Sequence, residues 1–175
     1  MTSATQLFDT YVNDLVPHYP VVVFAEDYTA AELRHSRPTL FLAVIAAAAS
    51  GNSNLELSAV LNTEVLQAYA TRTFMNSEKS LELVQAMLVT AVWYNPPNGF
   101  AQLKFYEYIH MAAIMALDIG LGTKPDVLRG ERHCSTTSAP PERGQSKSSS
   151  PSVEPDAVGI ENMRTYLACY LICAG

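Results

Sequence analysis

Apolar residues in the first sixteen positions recur with helical spacing. Leu7, Phe8, Tyr11, Val12, Leu15 and Val16 fall at i, i+4 and i+8, and Pro17 and Pro20 end the pattern because proline lacks a backbone donor. His18 to Phe24 then reads as an extended apolar tether. Thr29 and Glu32 form the T-x-x-E pair in which hydroxyl and carboxylate each satisfy an orphaned backbone donor, so a short helix is predicted from Ala30 to just before Pro38. From Pro38 to Ser50 the chain is apolar on every side, with Gly51 past the end, which describes a buried central helix. A fourth helical pattern runs from Asn54 to about Met75 through Leu57, Val60, Leu61, Val65, Leu66, Tyr69 and Phe74.

Ser77 is the N-cap expected for a helix over 78–94, whose apolar residues wrap most of the circumference. Pro96-Pro97-Asn98-Gly99 supplies a tight turn. A second arm over 100–121, ended by Gly120 and Gly122, makes an antiparallel helix pair the expected arrangement. Between Arg129 and Ser152 there is no valine, leucine, isoleucine, methionine or aromatic residue, so 124–157 is expected to be a disordered Ser/Pro-rich insert. Ile160, Met163, Leu167, Tyr170 and Leu171 then resume helical spacing in a segment that reads as a truncated apolar helix. No convincing β-alternation interrupts these patterns. The expected class is all-α, a multi-helix array divided into a helical region 1–123, the insert 124–157, and a continuation of the helical region over 158–175.

Composition narrows the function classes. Hydrophobic residues make up 49% of the 175 positions and charged residues 16%, enough apolar surface for a core. The net charge of −6 does not supply the lysines and arginines that grip phosphates, so DNA contact by these residues alone is not expected. Three cysteines, Cys134, Cys169 and Cys173, form neither a disulfide framework nor a CxxC pair, which fits free thiols in a reducing cell interior. The longest apolar run, Leu40 to Ala49, is far short of the ~20 residues that span a bilayer.

Each chemical candidate competes with a plainer role. His133 and Cys134 with Cys169 and Cys173 contain potential metal ligands, but a Cys-x-x-x-Cys pair on a helix gives two of the four that zinc takes, and buried structural thiols are expected instead. Glu107 and His110 stand at i, i+3 as in di-iron bundles, without the second such pair those sites need. Gly120-Leu121-Gly122 follows a helix rather than a strand, so ending that helix is its expected role. Glu26 and Asp27 read as solvated surface charge. Trp93, Tyr94, Tyr106, Tyr108, Met111 and Met115 could line an apolar pocket between the paired helices, with core packing the favoured reading. Ser148-Ser149-Ser150-Pro151 offers a phosphorylatable serine or a passive linker. No catalytic, cofactor-binding or metal-ligating residue is assigned, and the expectation is a non-enzyme.

Several segments in order resemble the middle homology region of fungal zinc-cluster transcription factors. Arg37-Pro38 with the run to Ala49 resembles its proline-led helix, Leu83-Val84-Gln85-Ala86 to Trp93-Tyr94 its VQA helix, and Ala112 to Gly122 its A-x-x-x-A-x-x-L-G-L segment. Glu161, Arg164, Thr165, Tyr166 and Tyr170 are similar to the helix that follows a variable insert, with Met163 where the family has a second arginine. The resemblance implies a nuclear regulator of RNA polymerase II transcription whose helical region governs activity. Its implied partners are the transcription machinery, a homo- or heterodimer mate, and DNA only indirectly. The family's zinc-binding module needs six closely spaced cysteines beside a basic stretch, and this chain has neither, so zinc is expected only in that separate module. The alternative is a stand-alone helical interaction protein that pairs with full-length regulators, and a third reading is an enzyme or small-molecule carrier using the helical core.

Overall fold

The computed structural model describes residues 3–51, 55–96, 103–122 and 157–174. All regular structure in them is helical. Helix α1 (Ala4–Thr10) opens with a capping box: Ser3 Oγ accepts from the Gln6 N–H and the Gln6 side chain accepts from the Ser3 N–H, each satisfying a donor that a helix start leaves bare. It continues as a π-helical turn, Tyr11–Leu15, and ends before Pro17 as expected. The tether that follows is pinned at both ends. Val21 and Val22 are buried, and Phe24 packs against Phe8 and Tyr11 at ring distances of 5.4 and 6.3 Å while stacking on Tyr28.

Helix α2 (Ala30–Ser36) begins at its Thr29–Glu32 capping box. Helix α3 (Pro38–Ser50) has every residue from Thr39 to Ala49 buried except Leu42, and it packs against α1, α2, helix α4 (Leu55–Tyr69, continued by a π-helical Ala70–Met75) and helix α5 (Leu81–Val92). Helix α6 (Phe105–Asp118) packs on α5, and helix α7 (Ala157–Ala174) packs on α6 and α5. The order α4, α3, α5, α6, α7 places α5 centrally. Leu83, Val84, Met87, Leu88 and Val89 have no exposed surface, each burial worth roughly 1.5–3 kcal/mol.

The α5–α6 pair is antiparallel. Lys79, just before α5, pairs with Asp118 at the end of α6 (2.6 Å), while Tyr94, just after α5, meets Phe105 and Tyr108 at the start of α6. Gly120 has φ 78°, and two bonds close α6: the Gly120 N–H donates to the Leu117 carbonyl and the Leu121 N–H to that of Ala116, a Schellman ending that needs the left-handed conformation glycine adopts freely.

Two expectations require correction. Helix α5 starts at Leu81, not 78, with Ser80 Oγ accepting from the Leu83 N–H as its cap; Ser77 instead turns the chain at φ 53°, and Glu78 is drawn back to Arg72. Helix α6 starts at Phe105, not 100, because the Lys104 N–H is given to Tyr94 Oη (2.8 Å). In α4, Val60 and Leu66 face solvent, as does Phe74 beyond it, leaving Ser58, Val65 and Tyr69 as the buried residues of that helix. Ile160, Met163, Leu167, Tyr170 and Leu171, the residues that carry the helical spacing of the last segment, form the outer face of α7. The turn after Pro96 and the insert up to position 156 lie outside the described residues.

Two tyrosines separate burial from bonding. Tyr69 Oη shares a hydrogen bond with Thr90 Oγ1 at 2.8 Å, whereas the buried Tyr11 hydroxyl has no partner among the described residues; burial raises the pKa of both. Removing one partner of a buried pair leaves the other stranded, while removing an unpaired hydroxyl strands nothing. Tyr69→Phe is therefore expected to lower the unfolding free energy by about 1 kcal/mol, and Tyr11→Phe to leave it unchanged or raise it by up to about 1 kcal/mol. Urea denaturation of both variants checks this, and equal losses would refute it.

Candidate functional site

Gln85 sits in the middle of a helix buried on all sides, where an unbonded amide would be costly. Its partners come from both ends of the chain. Arg37, at the N-cap of α3, donates to Gln85 Oε1 at 3.1 Å, and Gln85 Nε2 donates to Glu161 Oε1 at 2.9 Å and Thr165 Oγ1 at 3.2 Å. The Arg37 guanidinium also forms a two-pronged ion pair with Glu161, and Thr165 Oγ1 donates to the Glu161 carbonyl. Arg37, Gln85, Glu161 and Thr165 thus form one node that fastens α7 to α3 and α5. Three of the segments carrying the family resemblance meet here. The fourth approaches α7 separately: a Cβ built on Gly122 would lie 2.7 Å from the Tyr166 ring, so glycine there admits the tyrosine.

Burial by itself would raise the pKa of Glu161, but hydrogen bonds from Arg37 and Gln85 and the charges of Arg37 and Arg164 outweigh it and hold the carboxylate below its ordinary 4.5. A depressed folded-state pKa adds stability above the unfolded value that is lost as pH falls through the folded one. Wild-type stability is expected to drop as pH falls below about 4.5, and Glu161→Gln to remove part of that slope. Arg37→Ala is expected to cost about 1–2 kcal/mol at pH 7 and less at low pH. Urea midpoints at pH 7 and pH 4 read both.

A second polar cluster lies beside the node. Arg72, in the π-helical segment, donates to Glu78 Oε2 and Glu82 Oε2 at 2.8 Å each and to the Thr39 hydroxyl. The other oxygen of Glu82 accepts the Thr39 N–H at 2.7 Å and the Leu40 N–H at 3.3 Å. Arg37 gives α3 no side-chain cap, so the cap is supplied by a carboxylate of α5.

Between α3, α4 and the facing ends of α5 and α6 lies an open cleft of about 1010 Å³. Its floor is Ala43, Ala46 and Ala47, and Trp93, Tyr94 and Tyr108 form one wall. Of the six pocket candidates these three come together. Tyr106 points to solvent, and Met111 and Met115 line a separate recess of about 260 Å³. Glu107 and His110 are exposed on α6, as are Glu26 and Asp27 between the tether and α2. Cys169 is buried, which pushes its thiol up to about 11, but Cys173 is exposed, correcting the expectation that both are buried: position 173 falls on the outer side of α7. Among the described residues no group of three or more potential ligands could hold a metal ion, and no helix is long and apolar enough to cross a membrane. His133, Cys134 and Ser148 to Ser150 lie outside the described residues.

Residues 1–154 match the WAR1 C-terminal domain. The chain belongs to that family. Relatives of this domain include transcription factor pbcR of Emericella nidulans, 34% identical over 173 residues that cover 96% of this chain and 22% of that protein. Transcription factor himD of Aspergillus japonicus is 30% identical over 72% of this chain and 20% of its own length, and the transcriptional regulator WAR1 of Candida albicans is 22% identical over 71% and 13%. The chain spans about a fifth or less of the curated relatives it matches. No solved structure matches it. Membership places this WAR1 C-terminal domain among fungal transcription-factor regions, as its motifs implied, and the names of its relatives are those of regulators rather than enzymes.

In the sequence Arg37, Gln85 and Glu161 stand as motif letters with nothing to pair them, and Arg72 and Glu82 carry no motif. One signal marks them. Glu82 and Gln85 are polar residues one turn apart in a helix whose only other polar residue is Thr90, and each needs a partner where it is buried.

Proposed function

We propose that this chain is a helical regulatory region of a fungal sequence-specific transcription factor, acting in the nucleus on RNA polymerase II transcription. It reaches DNA only through a separate zinc-cluster module or through a partner protein, since its own charge is −6 and it has three cysteines. The observation that supports this reading most is the similarity to a transcription factor over 96% of the chain, which includes the segments that build the node. On this reading the node holds α7 against the body, and regulation acts by changing how firmly α7 is held. The division into a helical region 1–123, an insert and a final helical segment belongs to the same proposal.

The test is to fuse the whole chain to a heterologous DNA-binding module upstream of a reporter gene in a filamentous fungus. Output should differ several-fold from that of the DNA-binding module alone, and Arg37→Ala should alter it. Output equal to the module alone would remove the regulatory reading. The alternative, a stand-alone protein that pairs with full-length regulators, is favoured by one observation, the exposed apolar face of α7. Failure of a tagged full-length relative to co-purify with the chain would dismiss it.

A further inference from the structure

Helix α7 is two-faced in the reverse of the usual sense. Against α5 and α6 it buries small residues, Thr165, Ala168 and Cys169, while Ile160 (44% exposed), Met163 (61%), Leu167 (54%), Tyr170 (66%) and Leu171 (60%) face away. Positions 160, 163, 167 and 170 alternate steps of three and four, the spacing of a seam that receives another helix. The five large side chains leave a continuous apolar face open along it, of the kind that marks an interaction surface. The stripe also has a facing wall. With Tyr19, Pro20 and Val21 of the tether it lines a groove of about 510 Å³ in which Arg164 is the charged lining residue and no carboxylate takes part.

Arg164 decides the occupant. It makes no hydrogen bond or ion pair among the described residues, and the acid its charge reaches, Glu161, is already held by Arg37 and Gln85. Glu161 is also the sole acidic residue of α7. A second copy of α7 laid on the first would therefore bring an apolar stripe but no anion for Arg164. We propose that this groove docks an amphipathic helix of a partner protein, its apolar stripe on Ile160, Met163, Leu167 and Leu171 and a carboxylate opposite Arg164. This docking goes beyond the regulatory assignment and stands independently of it.

The probes are 18-residue synthetic helices with leucine at the seam positions and one glutamate placed in turn at each flanking position, beside matched peptides with glutamine or lysine there. Binding to the whole chain is read by fluorescence anisotropy at physiological salt. The net charge of −6 disfavours acidic ligands overall, so a preference for glutamate must come from a local contact. At one register the glutamate peptide should bind about tenfold tighter than the lysine peptide. Arg164→Glu should invert that order, and Leu167→Asp should abolish binding of every peptide. Leu167 is exposed and Arg164 half-buried at the groove, and circular dichroism melts confirm that the variants fold. Equal affinity for the three peptides at every register, or no binding by the wild-type chain, would overturn the proposal. So would a wild-type dimer in sedimentation that Leu167→Asp dissociates, which would assign the face to a second copy.

Discussion

A chain carrying Glu82→Ala is expected to lose about 3 kcal/mol of unfolding free energy, more than any other single polar change outside Arg72. One carboxylate serves two elements: Oε1 accepts the first backbone donors of α3 from Thr39 and Leu40, and Oε2 accepts from Arg72. Removing it strands two N–H groups at a helix start that no local side chain caps, and takes from a partly buried guanidinium one of its two acidic partners. Glu82→Gln keeps an oxygen for the helix start but not the ion pair, so about half the loss should return. Urea denaturation of the two variants reads the difference. A loss below about 1 kcal/mol in Glu82→Ala would mean that α3 finds its cap elsewhere.

Leu88→Ala should cost a similar amount for a different reason. Leu88 has no exposed surface in a helix enclosed by α3 and α6, so its truncation forfeits transfer free energy and leaves a cavity that close-packed neighbours cannot fully close, about 3 kcal/mol in all. For a chain of this length that lowers Tm by roughly 6–12 °C. Leu171→Ala removes the same atoms from the outer face of α7 and should change stability by less than about 0.5 kcal/mol. Thermal melts of the pair test whether the face is open in the isolated chain. Comparable losses at both positions would place Leu171 in a packed environment.

Much of this architecture is written in local signals. The Thr29–Glu32 capping box, the bounds of α3 and the glycine ending of α6 follow from residues within one turn of each boundary, where side chain and backbone answer each other directly. What escaped is non-local. Ser77 reads as the cap of α5, but Ser80 takes that place while Arg72 holds Glu78 back across the turn. The direction of the apolar stripe of α7 was not legible, because periodicity identifies a stripe without saying which way it points. Buried polar partners were the other gap: motif letters at Arg37, Gln85 and Glu161 mark positions, and only the packing of three helices shows that they satisfy one another.

The Arg37–Glu161 clamp joins residues 124 positions apart. In order of synthesis, all of α1 to α6 precedes α7, and contacts that close so long a span form late because chain entropy opposes them until the body is in place. Until then Gln85 faces an uncovered flank of the body, with Arg37 beside it. The clamp consequently governs departure rather than arrival: its strength sets the lifetime of α7 on the body, while the speed at which the body first assembles is set by the α3, α5 and α6 contacts already made.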